Sequence, residues 1–481
     1  MNLKLRKIDV IFIVIMIAIA AIVFIRAGYG PEDEKPNVPE IRFYKDDVNK
    51  LLVVQYISSS NIPWDDIQID GLCDKSNLGE FVRVGDEIVD CSGIIDIIHK
   101  PTQTLLYHWK FTPRPTLPGS IILSNMRAVS PEDEGAHFNK IQNTREWWYY
   151  TVVFGEDSEL SGWVANIAFM HMAWGDLRFT FKPDILVVTL HSPDGKEFGG
   201  LKASDRGKIL GFLGNPTFEA TSPGVDLQYE ESWAKGEAPE WHVHAEFIED
   251  SSQNEIIIDL DFFAPSSPYW TQSSRIIDKG EGNLANYVYT GCEVDGEVTI
   301  DGLEYIVNGL GHHEHCWSPG LIKTSIKGWD WCHITLDDGW NVYYSNYYYT
   351  RDLFTPDSNK VNPNAIVFVT TDKGDTLTLL QDVELTVTRS SKLFLLVQMP
   401  SELKISATPS NLMQPLLSSY NIQLDMDIVA DNTYERTWKT PTHVGMKLGL
   451  NEIIGKISWS DDSGDHVVDL NGLGAIWFMR R

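Results

Sequence analysis

Gly309-Leu310-Gly311-His312-His313-Glu314-His315-Cys316-Trp317 packs three histidines and a glutamate into consecutive positions of an otherwise apolar run. As an extended strand it splits in two. His312, Glu314 and Cys316 face one side, and His313, His315 and Trp317 the other. Outward from it the chain reads as strand after strand. Ile257-Ile-Asp-Leu-Asp-Phe262 and Val383-Glu-Leu-Thr-Val-Thr388 alternate apolar and polar residues. Turn signals recur at Pro193-Asp-Gly195, Asp337-Asp-Gly339, Asp372-Lys-Gly374 and Asp462-Ser-Gly464. Helical periodicity is scarce, so the region from residue 128 onward is expected to be all-β, as two sandwiches or barrels.

The chain has 481 residues, too many for one core, and its 43% apolar content allows folded domains. Sixteen Trp, 18 Tyr and 20 Phe suit sheet faces and apolar ligand sites alike. A formal net charge of −28 argues against nucleic acid as a partner, since phosphate binding needs Lys and Arg. Near the N-terminus, Lys4, Arg6 and Lys7 precede an apolar run from Val10 to Ile25. With no clean cleavage site after it, the run (residues 1–28) reads first as a transmembrane anchor and second as a removed signal, which would leave the body secreted. The charges place the N-terminus inside and the body outside the cell membrane.

Residues 29–40 are polar and Pro-rich, as in a linker. Residues 41–112 carry short β-rich runs separated by Asp70-Gly71 and Gly85-Asp86, which predicts a small β-sandwich-like module. Trp64-Asp-Asp-Ile-Gln-Ile-Asp-Gly71, Val84-Gly-Asp-Glu-Ile88 and Cys91-Ser-Gly93 resemble the β domain of archaeal pilin-like surface proteins. Cys73 and Cys91 fall within this module and can pair there. Cys292, Cys316 and Cys332 sit in apolar sequence and are expected in the core. Residues 113–127 read as a second linker, on the strength of Thr112-Pro-Arg-Pro-Thr-Leu-Pro-Gly119.

Three motifs point to a family. They are Pro131–His137 leading to Arg145-Glu-Trp-Trp-Tyr149, then Gly309–Trp317, then Gly328-Trp-Asp-Trp331 with Leu336-Asp-Asp-Gly339. In order and spacing they resemble the lipocalin-like superfamily of carotenoid 1,2-hydratases (hydroxyneurosporene synthases), kievitone hydratase and fungal Diels–Alderases. The resemblance covers residues 128–481. It implies two tandem lipocalin-like antiparallel β-barrels, at 128–320 and 321–481, with a hydrophobic pocket in or between them. In that family the strand presents an acid, most often Asp, to the pocket. Here the position holds Glu314, with His312 where an aromatic residue is frequent.

Two readings of Glu314 stand side by side. In one it is a general acid, kept protonated by an apolar site, that protonates a carbon–carbon double bond of an isoprenoid-like lipid. His312 and His244 would assist, and Glu146, Trp148, Trp241, Trp317, Trp329 and Trp331 would line the substrate site. In the other, Glu314 is one half of a buried Glu–His pair that locks two strands. Glu146 reads first as a strand-end acid, solvated or paired with Arg145 or another basic residue, and second as a pocket carboxylate. No metal site is expected, because His-His-Glu-His lacks the i, i+4 helical spacing of zinc proteases. No Gly-x-Gly-x-x-Gly, Walker or Gly-x-Ser-x-Gly motif occurs, so no cofactor is implied. A hydratase or cyclase, a lipid carrier and a surface-assembly protein are the three functions that fit.

Overall fold

The computed structural model describes residues 38–46, 51–59, 61–110, 115–137, 145–171, 184–204, 218–249, 252–272, 285–318, 328–336, 339–348, 360–361, 365–371, 376–393, 397–438 and 444–480. They form two compact units, divided between Thr116 and Leu117. The anchor read at Val10–Ile25 lies outside the described residues. Among the described residues no helix is long and apolar enough to cross a membrane.

The smaller unit is a sheet built from Ile41–Asp46, Leu51–Ile57, Ile67–Asp74, Glu87–His99 and Thr104–Lys110. Alternating Ile41, Phe43, Leu52, Val54, Ile67, Ile69, Ile95 and Ile97 supply its core. The Trp64 indole donates to Asp86 at 2.9 Å and fixes the turn signalled by Gly85-Asp86. Cys73 and Cys91 lie within this unit and are not joined as a disulfide.

The larger unit is all-β, with two extensive antiparallel sheets. The first runs in the order Glu197–Ser204, Asp184–His191, Val164–His171, Arg145–Phe154, Leu303–Ser318, Ala285–Ile300, Glu255–Phe263, Glu240–Ile248, Ser232–Glu237, Val225–Tyr229, Phe218–Ala220. It curls so that residues from both halves share one core, among them Trp148, Tyr150, Leu227, Trp241, Leu260 and Val294. The second sheet centres on Val444–Asp461, Gly464–Arg480, Gly328–Leu336 and Asn341–Tyr348, and likewise closes over its own core of Cys332, Ile334, Val367, Leu403 and Ile457. Among the described residues no ladder joins the two ends of either sheet. The segment read as a linker at 113–127 contributes to this unit from Leu117 onward, because Ile121–Ile122 pairs with Thr376–Leu377 at the edge of the second sheet.

A third cluster joins the sheets. Trp147, Tyr149, Ala168, Ile185 and Cys316 of the first pack with Trp329, Trp331, Tyr347, Leu448 and Trp477 of the second. The middle strands of the first sheet are therefore covered on both faces. That is why Val164–His171 and Asp184–His191 are buried at every position and read as unbroken apolar runs. An outer strand such as Glu240–Ile248 alternates instead, burying Trp241, Val243, Ala245 and Phe247. Cys292, Cys316 and Cys332 are fully buried, as expected of small core hydrophobes.

Gly311 marks how closely the central strands approach. A Cβ there would lie 2.5 Å from the Thr151 carbonyl, 2.8 Å from Val294 and 2.9 Å from Phe262. Gly311→Ala is expected to destabilise the large unit by about 1–3 kcal/mol through overpacking, read as a lowered denaturation midpoint.

Candidate functional site

The strand Leu303–Ser318 is flanked by Arg145–Phe154 and Ala285–Ile300, and this register decides what each of its side chains meets. Glu314 lies opposite Tyr149 on one neighbour and Val288 on the other. His315 lies opposite Trp148 and Tyr287. The alternation separates the motif into two polar groups on opposite faces of one sheet.

The face turned to the second sheet holds Glu314, with no exposed surface. Its Oε2 is 3.3 Å from His333 Nε2 and accepts from the Tyr343 hydroxyl at 3.3 Å. Its Oε1 accepts from the Asn286 amide at 3.4 Å. The His312 and His333 rings stack at 4.7 Å. Aromatic rings wall this group: Trp147 lies 5.4 Å from Trp331, Trp329 lies 5.6 Å from Trp331, and Tyr149 lies 5.2 Å from Trp477. Tyr149 itself is fixed by donating to Asn166 at 2.6 Å.

Burial pushes Glu314 up to about 8, against the opposing effect of its hydrogen bonds. Burial also pushes His333 down to about 3 and holds His312 well below the usual imidazole range. The arrangement at neutral pH is thus a protonated carboxyl beside neutral imidazoles. His312 Nε2, His333 Nδ1 and the indole nitrogens of Trp329, Trp331 and Trp477 have no hydrogen-bond partner among the described residues. Each such buried polar atom costs about 1–3 kcal/mol unless something satisfies it.

The opposite face looks into the first sheet's own core. Here Glu146 is fully buried and accepts from His315 Nε2 at 2.9 Å, from His137 Nδ1 at 2.9 Å, and from the His137 backbone N–H at 2.8 Å. Burial alone would raise Glu146, but the bonds from His137 and His315 outweigh it and hold the carboxyl below its usual range. Glu146 is therefore not a solvated strand-end acid. Two imidazoles and one carboxylate here have donor atoms that all lie within 4.8 Å of one another, so these residues can hold a metal ion. Nearby His313 stacks on Tyr150 at 4.4 Å, and among the described residues neither of its ring nitrogens has a hydrogen-bond partner. A further carboxylate, Glu134 of the short helix Pro131–Glu134, accepts the Ala238 N–H at 3.0 Å, and burial pushes it up to about 7.

The residues expected at one site are thus divided. Glu314, His312, Trp329 and Trp331 meet between the sheets. Glu146, Trp148, Trp241 and Trp317 lie on the other side of the first sheet. His244 joins neither group. It and His242 alternate outward on Glu240–Ile248 and bond Asp259, at 2.7 and 2.9 Å, on the outer surface. Its pairing with Trp233 and acidic residues, not with Glu314, follows from the inward positions being taken by Trp241 and Val243.

His333, Tyr343, Asn286 and Trp477 were not expected at the site. His333 was within reach: Trp329, Trp331 and His333 share a face by simple alternation. Tyr343 follows from the antiparallel pairing of Gly328–Leu336 with Asn341–Tyr348, which sets His333 opposite Tyr343. Asn286 and Trp477 come from distant segments with no local signal.

No family model and no curated protein matches the chain. Among solved structures it is similar to an AttH protein from Nitrosomonas europaea, at 17% identity and TM-score 0.44, over 75% of this chain and 98% of the other. It is also similar to kievitone hydratase from Nectria haematococca, at 10% identity and TM-score 0.47, over 76% and 94%. CghA matches at 8% identity and TM-score 0.41, over 76% and 94%. The matches cover about three quarters of this chain.

Glu134 offers a measurable signature. Its proton is held up to about pH 7 in the folded chain, against 4.5 for the ordinary carboxyl. The folded state then binds more protons between those values, so this group's contribution to stability falls as pH rises through the window. Glu134→Gln should flatten that dependence and gain on the wild type above pH 7. Denaturation midpoints of the two proteins across the range check it; parallel curves would rule the assignment out.

Proposed function

We propose that the chain is an exported hydratase or cyclase acting on an isoprenoid-like hydrophobic substrate, with Glu314 as the proton donor. The observation that carries this reading is geometric. One carboxyl with no exposed surface sits between two sheets, held by Tyr343 and Asn286, next to His333, and walled by indole rings.

The chemistry follows from those neighbours. The Glu314 carboxyl transfers its proton to one alkene carbon, leaving a tertiary cation on the other and a carboxylate on the enzyme. The faces of Trp147, Trp329, Trp331 and Trp477 stabilise the cation. Water adds to the cation to give an alcohol, and its spare proton passes to His333 or back to Glu314. Where a second double bond adds instead, a ring closes and a proton lost from carbon restores the acid. The unpartnered indole and imidazole nitrogens give the site hydrogen-bond donors and acceptors for that water or for a polar group on the substrate.

In the same reading the two sheets are lipocalin-like barrels. Val10–Ile25 anchors the body outside the cell membrane, next to bilayer lipids from which a hydrophobic substrate partitions. A lipid carrier with this same site is the second reading. It is favoured by the bond between Glu314 and His333, which ties one sheet to the other.

The test is incubation of the purified protein with an isoprenoid lipid extract in heavy-oxygen water, followed by mass spectrometry. Wild type should yield a lipid that gains labelled water, or one that changes retention at constant mass. Glu314→Gln should lower that yield by a factor of about 10² or more while still co-purifying with lipid. Equal lipid retention by both proteins with no conversion by either would make it a carrier.

A further inference from the structure

Two imidazole nitrogens converge on a single oxygen of Glu146, and the His137 backbone N–H is shared between that oxygen and Oε2, which it meets at 2.8 Å. The His137 ring, the His315 ring and the His137 backbone N–H reach Oε1 at 2.9, 2.9 and 3.1 Å. Both imidazoles are also fixed in plane by indoles. His137 stacks on Trp317 at 4.2 Å and 6°, and His315 on Trp148 at 4.4 Å and 14°. Two rings held this way, with a carboxylate oxygen and ring nitrogens that all lie within 4.8 Å of one another, are a donor set that can close on a cation.

We propose that His137, Glu146 and His315 form a divalent metal site of zinc type, on the opposite face of the sheet from Glu314 and independent of its chemistry. Two imidazoles and one carboxylate are a donor set that zinc takes with three protein ligands and one open position. Tetrahedral bonds of about 2.0–2.2 Å place ligand atoms about 3.4 Å apart, so the carboxylate must withdraw by about half an ångström. The His137 side chain is 25% exposed and gives the ion a path inward. The other two ligands are fully buried. His315 Nδ1 lies 3.4 Å from the Tyr287 hydroxyl, the outer partner that orients a metal-bound imidazole. The ion would tie the segment after the short helix Pro131–Glu134 to the strands Arg145–Phe154 and Leu303–Ser318, with its fourth position open to water.

The experiment loads the purified, chelator-stripped full-length chain with zinc. It measures stoichiometry by elemental analysis, affinity by competition with a chromophoric chelator, and coordination by the ligand-field absorption of the cobalt form. About one ion per chain is expected, with the intense absorption of four-coordinate cobalt. Glu146→Gln and His137→Ala should each weaken binding by more than about a hundredfold, and Tyr287→Phe by about tenfold. His137→Ala guards against loss of fold, because that side chain is partly exposed. His242→Ala with His244→Ala removes the other histidine cluster and should leave binding intact. The proposal fails if the folded wild type binds no stoichiometric zinc. It fails equally if binding survives His137→Ala and is lost with the His242 and His244 substitutions.

Discussion

Burial of Gly311–Trp317, the second half of the strand Leu303–Ser318, on both of its faces is the constraint on which the rest of the large unit depends. A strand with one wet face can turn its polar residues to water. This one cannot, so each of His312, His313, Glu314 and His315 must find a way to be buried. A charged group in such a place has two options: to lose its charge, or to be paired. The strand uses both. Glu314, facing the second sheet, is surrounded by neutral groups, and desolvation pushes it up. Glu146, across the sheet beside His315, is paired with two imidazoles and a backbone N–H, and is held down. Neighbouring carboxyls on opposite faces of one sheet are thereby set to opposite protonation states, the separation that acid chemistry requires.

The bonds to Glu314 are longer than those to Glu146. His333, Tyr343 and Asn286 meet Glu314 at 3.3–3.4 Å, near the limit for such bonds. The groups on the other face meet Glu146 at 2.8–2.9 Å. A purely structural pair would be expected to tighten as far as packing allows. Looser contacts, beside indole and imidazole nitrogens without partners, are what an acid needs if it is to release its proton to something else.

Much of the fold was legible because its signals are local. Alternation over Ile257–Phe262 follows from the period of a strand, and the strand Glu255–Phe263 alternates there as the sequence places it. The division of the histidine motif into two faces was legible for the same reason. What lay beyond each face was not. That Trp329 and Trp331 join Glu314, while Trp148 and Trp317 do not, depends on which sheet packs on which, and alternation within one strand carries no such information. His244 was misplaced toward Glu314 because a pair of histidines on one strand face says nothing about whether that face is inside. Only the buried Trp241 and Val243 beside it decide this. The pairing of His137 with Glu146 was hidden by its irregular backbone, which has no periodicity to read.

One residue's worth of register accounts for Asn286. Along Ala285–Ile300 the pairing with the histidine strand shifts by one between Thr290 and Cys292. Before the shift, Asn286, Val288 and Thr290 share a face with Glu314 and His312, and Val288 packs with Tyr343. After it, Cys292, Val294 and Val298 turn into the first sheet's core. Without the extra residue, the even positions would stay on one face throughout. Asn286 could then reach Glu314 only if Cys292 and Val294 left the core. The bulge is made by Gly291, whose φ of +66° lies in the left-handed region that other residues adopt reluctantly. A glycine at this bulge thus lets a single long strand serve an apolar core at one end and a buried acid at the other, which a regular ladder of the same sequence could not do.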